Sequence, residues 1–472
     1  MKLVWFRNDL RMRDHHALFN ACQDADGAGV TAVVVISPAQ WLLQDEANAR
    51  VQFWLANVRA LAEDLAGLNI SLKVLRAGSN REVPAQLLGL AKQLGATGLY
   101  FNNEYPEYEV RRDHNVESAF VEQGMTVRRF DSDVILPPQS LRNKQGTPFK
   151  VFTPFSKAWR ARYVMTLPEV LAAPKPQAIT AVMADPIPDS IHYNSPVQSV
   201  WREDLWPAGS EVAHQRLEQF VHSKSAVYNA ERDFLAKPAT SALSPYLSVG
   251  AISARQCLAG MAAMSGNDSW FDDQWVTELI WREFYRHLLV DYPDMNRWMP
   301  FKPDIESRLQ WDEREELFDA WCRGETGFAL VDAGMKQLLE TGWMHNRARM
   351  VTASFLCKLL RQDWRRGARF FMQHLIDGDF ASNLGGWQWS ASVGADAAPY
   401  FRIFNPMRQA ERFDPKGEYA ARWLPELASL VSVQRYDPLF SSGVGRPTPV
   451  IDYSFARQQS IDQYKQAGDQ RK

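Results

Sequence analysis

The chain has 472 residues, 46% of them apolar and 23% charged, a globular composition with length for roughly two or three cored domains. No run approaches the ~18 unbroken apolar residues of a membrane helix, and charge enters at Lys2, too early for a secretory leader. A formal charge of −2 argues against a non-specific nucleic-acid coat but leaves room for a local basic patch, and four scattered cysteines (Cys22, Cys257, Cys322, Cys357) read as reduced thiols in a cytoplasmic protein.

Along the first third, short β-prone runs at 3–6, 30–36, 72–75, 98–102 and 126–130 alternate with amphipathic segments such as 49–65 and 84–94. The alternation predicts an α/β domain over 1–130, Rossmann-like, with a parallel sheet covered by helices on both faces. It carries no GxGxxG after the first strand, and the chain has no GxxxxGK[ST], so a bound flavin or nucleotide needs another device. Residues 131–206 are proline-rich and read as a connector. An all-α domain follows over 207–472, with helix-period segments at 212–219, 251–264, 272–289, 329–339, 347–360 and 365–375, and the polar last twenty residues are expected to fray.

Eleven of the seventeen tryptophans fall between Trp270 and Trp423. A buried indole N–H needs a partner, so a Trp-rich helical core competes with a ring-stacking site as the explanation. The run DGDFASNLGGWQW at 377–389 favours the site, because two acids, adjacent glycines and two indoles make poor core but a good pocket wall for a flat polar ligand. On a helix, WVTELIWREFYRH at 275–287 sets Trp275, Glu278, Trp281 or Arg282, and Tyr285 on one face, opposite Leu279, Phe284 and Leu288. A surface helix with an internal Glu–Arg pair is the plain alternative.

In TGWMHNRARM at 341–350, Thr-Gly closes one element, and Asn346/Met350 and His345/Arg349 are i, i+4 pairs on the next. Arg347 and Arg349 point differently, so one can meet phosphate while the other pairs an acid, and His345 reads as structural. Tyr228, Arg232 and the hydroxyl-rich TSALSP at 240–245 suit a helix cap or an anion site. The nine histidines include only one adjacent pair, His15-His16, and no metal site is expected.

Together these residues resemble the DNA photolyase/cryptochrome family, in particular its bacterial cyclobutane-dimer photolyases of class I. The text that carries the resemblance is VWFRNDLR at 4–11, VFTPF at 151–155, ELIWREFYRH at 278–287, GWMHNR at 342–347, the 377–389 run and DAAPYFRIFNP at 396–406. The motifs stand in order and span essentially the whole chain.

The resemblance implies a carbon–carbon lyase that repairs cyclobutane pyrimidine dimers in UV-damaged DNA by an electron from light-excited reduced FAD (FADH⁻), held U-shaped in the helical domain. By position, Tyr228, Thr240, Ser241, Leu243 and Ser244 would hold the phosphate side and Trp275, Glu278 and Arg282 would line the cavity. Asn346 would sit by the reactive flavin nitrogen, Arg349 would pair with Asp377, Asp379 would meet the pyrimidine-like edge, and Asn383 completes the flavin set. For the flipped lesion, Trp281 and Trp389 would stack, Glu278 would hydrogen-bond the bases, Met350 would pack against them, and Arg232, Arg347 and Arg402 would contact phosphates. Trp387, Trp364 and Trp311 match the chain that photoreduces the flavin.

Two positions depart from the family pattern. Ala242 replaces a basic residue common in relatives, which thins phosphate contact there. Glu109 matches a pterin-contacting glutamate, but Tyr108 stands where folate-binding relatives have Asn. The expected antenna is 5,10-methenyltetrahydrofolate, with a deazaflavin, another flavin or an empty site left open. A monomeric, cytoplasmic, nucleoid-associated protein is expected. A cryptochrome-type receptor is disfavoured by Asn346, where plant-type receptors carry an acid, and a (6-4) photolyase by Met350, where that chemistry places a second His.

Overall fold

The computed structural model describes residues 1–166, 169–191, 193–264 and 268–469. Five parallel strands, β1 (Lys2–Phe6), β2 (Val30–Ile36), β3 (Ser71–Arg76), β4 (Gly98–Asn102) and β5 (Thr126–Phe130), form one sheet in the order β3-β2-β1-β4-β5. Lys2 stands opposite Val30 on one side and Gly98 on the other. The β2 sequence VTAVVVI is buried almost throughout, as a β-branched central strand of a sheet covered on both faces must be. Helices His16–Asp24, Asn48–Ala66, Val83–Leu94 and Glu107–Val121 cover the sheet, and Leu3, Trp5, Val33, Leu87, Leu99, Phe101, Val116 and Phe120 share one core.

The chain divides into two compact units: one of Met1–Ala226, Ser241–Pro293 and Ile376–Gly378, the other of Val227–Thr240, Asp294–Leu375 and Asp379–Lys472. The segment expected as a separate connector, 131–206, thus belongs with the sheet, and its chemistry explains why. Gln177 N–H donates to the Leu68 carbonyl at 2.8 Å, Asp185 N–H to Leu72 at 2.9 Å, and the Asp185 carboxylate accepts from Val74 N–H at 3.0 Å. These bonds cover the β3 side of the sheet, an edge that would otherwise present unpaired backbone groups. The same segment contains the helix Phe152–Thr166, with Pro154 in its first turn, where a missing N–H is tolerated. Glu283, fully buried, accepts from Ile135 N–H (2.7 Å), Leu136 N–H (2.8 Å) and Trp159 Nε1 (2.6 Å), and burial pushes its carboxyl above the ordinary range.

The second unit is helical. Its principal helices are Ala329–Thr341, Asn346–Ser354, Trp364–Met372, Phe380–Ser390 and Tyr453–Asp469. Gly342 (φ +69°) ends the first in a left-handed turn, and His345, Asp363 and Asp379 cap the next three through side-chain acceptors. Gly367 lets two of them close up, since a Cβ there would stand 2.2 Å from the Trp387 ring. Of the last twenty residues, expected to fray, Tyr453–Asp469 form a helix, because Ala456, Tyr464 and Ala467 are buried and the Tyr464 hydroxyl donates to the Ala391 carbonyl at 2.7 Å; 470–472 lie outside the described residues.

Candidate functional site

In the first unit the helix Gln274–Asp291 starts at Asp273, whose carboxylate accepts from Trp275 N–H at 2.6 Å. Its buried side includes Val276, Leu279, Ile280 and Phe284, whereas Glu278, Trp281, Arg282 and Tyr285 form the half-open stripe that the spacing predicts. Trp275 is buried: its Nε1 donates to Ser241 Oγ at 3.2 Å, and its ring packs on Phe220 at 4.8 Å. The loop it anchors holds Ala242 at φ +53°, a left-handed conformation that costs a non-glycine residue about 1–2 kcal/mol. Such strain persists where the surroundings over-determine it, and it falls within the loop expected to grip phosphate. Leu243 is buried behind the loop while Ser244 is exposed.

Gln274 Nε2 donates to Glu278 Oε1 at 2.9 Å, which orients that carboxylate. One face of Trp281 is already covered by Phe152, stacked at 3.6 Å and 6°. Phe152 belongs to the VFTPF motif at 151–155, and its meeting with Trp281 has no signal in the sequence. Arg282 donates to the Asp133 carbonyl at 2.8 Å and, with Arg286, ion-pairs the Asp133 carboxylate. Burial alone raises the Asp133 carboxyl, but the two guanidiniums outweigh it and hold it well below the ordinary range. Arg282 thus shares its carboxylate partner with Arg286. Asp377 is buried.

In the second unit, the helices Asn346–Ser354 and Phe380–Ser390 pack together. Asn346 is exposed at the start of the first, and its Nδ2 lies 3.9 Å from the Met350 sulfur one turn on. His345 Nδ1 accepts from Arg347 N–H at 3.1 Å, and burial lowers the imidazole to about 4, so it is a neutral cap as the structural reading expects. Arg349 Nε donates to the Met344 carbonyl at 2.7 Å. Arg347, 13% exposed, pairs with Asp233 at 2.7 Å and lies 4.3 Å over Phe413, which reduces its availability to an outside phosphate. Arg232 lies 5.5 Å over the buried Tyr228 ring, Thr240 is half-buried, and Arg402 is exposed.

Phe380–Ser390 runs as a helix straight through Gly385-Gly386, starting from the Asp379 carboxylate, which accepts from Ser382 N–H at 2.9 Å. Asp379, Asn383, Gly386 and Trp389 share one half-open face. Asn383 Nδ2 is held by the Ala368 carbonyl at 2.9 Å, which leaves its Oδ1 lone pairs for other donors. A Cβ on Gly386 would meet nothing within 4 Å. Alanine would suit this helix better, and packing among the described residues does not explain the glycine.

Trp364 and Trp387 are buried and Trp311 is half-buried. Trp311 Nε1 lies 3.4 Å from a Glu306 carboxylate oxygen, and Glu306 also pairs with Arg365 at 2.6 Å. Sequence reasoning missed Trp298, whose ring lies 6.2 Å from Trp364 and whose backbone is left-handed at φ +63°. Arg369 sits 5.0 Å over the Trp298 ring and Arg365 4.7 Å over that of Trp364.

The strand order in the sheet reverses between β1 and β4, where such sheets tend to bind ligands. Charged side chains pack on Trp5 near this point. Arg7 lies 4.2 Å over Trp5 and pairs with Asp113 at 3.2 Å, while Arg112 lies 4.6 Å over Trp5 and pairs with Glu104 at 2.7 Å. Beside it, Glu109 is 8% exposed; Gln44 Nε2 donates to its Oε1 at 2.5 Å, its Oε2 has no hydrogen-bond partner among the described residues, and burial raises the carboxyl to about 7. Gln44 gave no sequence signal, since only the fold brings it to Glu109. Among the described residues no helix is long and apolar enough to cross a membrane, and no group of three His, Cys, Asp or Glu side chains could hold a metal ion.

A family model described as DNA photolyase matches residues 2–177, and one described as the FAD binding domain of DNA photolyase matches residues 275–466. A deoxyribodipyrimidine photo-lyase of Vibrio cholerae is 40% identical over 99% of this chain and 100% of its own length. That of Escherichia coli is 40% identical over 98% of each. The crystal structure of a bacterial class III photolyase from Agrobacterium tumefaciens matches with a TM-score of 0.88 at 32% identity, covering 99% of this chain and 98% of that one.

Proposed function

The chain belongs to the DNA photolyase/cryptochrome family, and from that premise we propose how its residues carry out light-driven repair of cyclobutane pyrimidine dimers in DNA with FAD as cofactor. When bound, reduced FAD excited by near-UV or blue light supplies the electron that opens the cyclobutane ring and takes it back afterwards. The rest is binding, orientation and electrostatics.

The observation that supports the site assignment is the half-open face of Asp379, Asn383, Gly386 and Trp389, on a helix that packs against the one carrying Asn346 and Met350. It fits a flat ring with a hydrogen-bonding edge. Asp379 and the Asn383 oxygen accept from ring N–H groups, Gly386 allows close approach, and Asn346 offers an amide but no acid proton. Arg349 with Asp377, and the Tyr228, Thr240, Ser241, Leu243 and Ser244 set, hold the remainder of FAD, with Trp275 behind them. The strained Ala242 supports that role for the loop. Arg282, held by the Asp133 carboxylate that it shares with Arg286, lines the cavity.

For the lesion, Trp389 and the uncovered face of Trp281 supply stacking worth roughly 1–3 kcal/mol per base, enough to offset the few kcal/mol of flipping. Glu278 accepts from base N–H groups, Met350 fills beside them, and Arg232, Arg402 and the partly neutralised Arg347 meet phosphate. Replacing Trp389 or Glu278 by Ala tests this: dimer binding falls while flavin stays, and loss of flavin instead overturns the assignment.

Trp387, Trp364 and Trp311 re-reduce oxidised flavin. Arg365 over Trp364 disfavours an electron hole there, and the Glu306 carboxylate at Trp311 Nε1 favours it, so the hole is drawn outward. The antenna is 5,10-methenyltetrahydrofolate. A buried carboxyl with one oxygen lacking a hydrogen-bond partner among the described residues suits the amino and N–H edge of a pterin. The protein acts as a cytoplasmic, nucleoid-associated monomer.

A further inference from the structure

Lys358 lies in the π-helical turn Phe355–Leu359 and is 1% exposed. Lysine is almost never buried so completely without an anionic partner, yet among the described residues Lys358 forms no ion pair. Its Nζ faces three backbone carbonyls instead, those of Arg402 at 3.2 Å and of Pro399 and Tyr400 at 3.5 Å each. The Tyr464 ring closes the site 5.7 Å away. Single-turn π bulges recur at functional positions, where the extra residue redirects a side chain.

All three carbonyls belong to one loop. Its near end is tied to the Phe380–Ser390 helix by Ala398 N–H donating to the Trp389 carbonyl at 3.2 Å, and its far end by buried Phe404. Between these anchors the loop exposes Arg402 and Phe401, the latter 62% exposed. No strand or helix ladder holds this stretch: Arg402 N–H closes a turn on the Pro399 carbonyl at 2.9 Å, and among the described residues Lys358 is the donor to the Tyr400 and Arg402 carbonyls.

We propose that Lys358 is a positioning residue for damaged-DNA binding: its ammonium gathers the Pro399, Tyr400 and Arg402 carbonyls and so fixes the loop that presents Phe401 and Arg402 to DNA. The inference rests on reading Arg402 as a phosphate contact. A neutral hydrophobe at 358 frees the loop, and its ordering then opposes binding. Burial lowers the Lys358 ammonium to about 8, with Cys357 on its own turn opposing that and Arg402 reinforcing it; Tyr464 is the titratable group facing it from the terminal helix. Deprotonation above that pH weakens the charge-assisted bonds to the loop.

The test uses full-length flavin-loaded protein, a thymine-dimer oligonucleotide duplex, dark binding and light-driven repair. Lys358→Met is expected to weaken dimer binding by about tenfold, leaving flavin absorbance and repair at saturating DNA unchanged, and Lys358→Arg is expected to recover most of the affinity. Arg402→Ala tests the underlying reading separately. If Arg402→Ala weakens binding and Lys358→Met does not, the positioning role is overturned; if Arg402→Ala binds as tightly as the unmodified protein, the loop reading falls and the inference with it. Should Lys358→Met lose flavin, the unmodified protein decides, because its dimer affinity must decline as pH rises through about 8, and a constant affinity overturns the proposal.

Discussion

Gly386→Ala separates what the protein needs from what its ligands need. The residue lies inside the helix Phe380–Ser390, and an added Cβ would meet nothing within 4 Å. Helix propensity alone favours alanine there by about 0.8–1.0 kcal/mol. The ligand-free protein should therefore gain close to that amount, a rise of about 2–4 °C in Tm for a cooperative unit of roughly 150–250 residues. The same methyl would occupy the space beside Asn383, one turn before, and Trp389, one turn after. Carbon atoms pack at about 3.5–4.0 Å, so a ring lying against the glycine backbone must retreat. Losing about 1.4 kcal/mol of binding is a tenfold change. Thermal melts of the ligand-free protein, FAD titration and dimer-duplex binding measure both sides. A stabilised variant with FAD and dimer affinities unchanged would refute the claim that a ligand uses this face.

Glu278→Ala should weaken dimer binding while FAD stays bound, as read by filter binding and flavin absorbance. Trp311→Phe should block photoreduction of the oxidised protein and spare repair once the flavin is reduced chemically. Trp298→Phe should leave photoreduction near normal, because the Arg369 cation over that ring opposes a hole there, and a large loss would reverse this electrostatic ordering. Glu109 is raised by burial from 4.5 to about 7, so the folded state binds the extra proton. Its contribution is fully present below about 4.5 and is lost as pH rises to about 7, at most about 3 kcal/mol in the antenna-free protein. Glu109→Gln should flatten that part of the pH–stability curve and reduce retained pterin absorbance.

The sheet was legible because its strands carry local signals: β2, β4 and β5 are β-rich runs whose observed limits match the expected ones. The face of Gln274–Asp291 was legible for the same reason, since a 3.6-residue period leaves one stripe. Where tertiary bonds decide, the text was silent. The Phe152–Thr166 helix was hidden by prolines, and the attachment of 131–206 to the sheet edge depends on backbone bonds that leave no composition signal. Gly385-Gly386 argued against a helix that the Asp379 cap and packing on Asn346–Ser354 nonetheless sustain. Phe152 on Trp281, Gln44 at Glu109 and Lys358 under its loop are meetings between distant segments, visible only once the chain is folded. The resemblance named residues for a flavin and a lesion, and their roles await the substitutions described above.

The most direct test of the account is light-dependent loss of cyclobutane dimers from UV-irradiated DNA, using the flavin-loaded protein after chemical reduction and a dark control. The account predicts loss of dimers only under near-UV or blue light, abolished by Glu278→Ala at limiting protein. Persistent dimers in the light, with reduced flavin bound and damaged DNA demonstrably held, would contradict it.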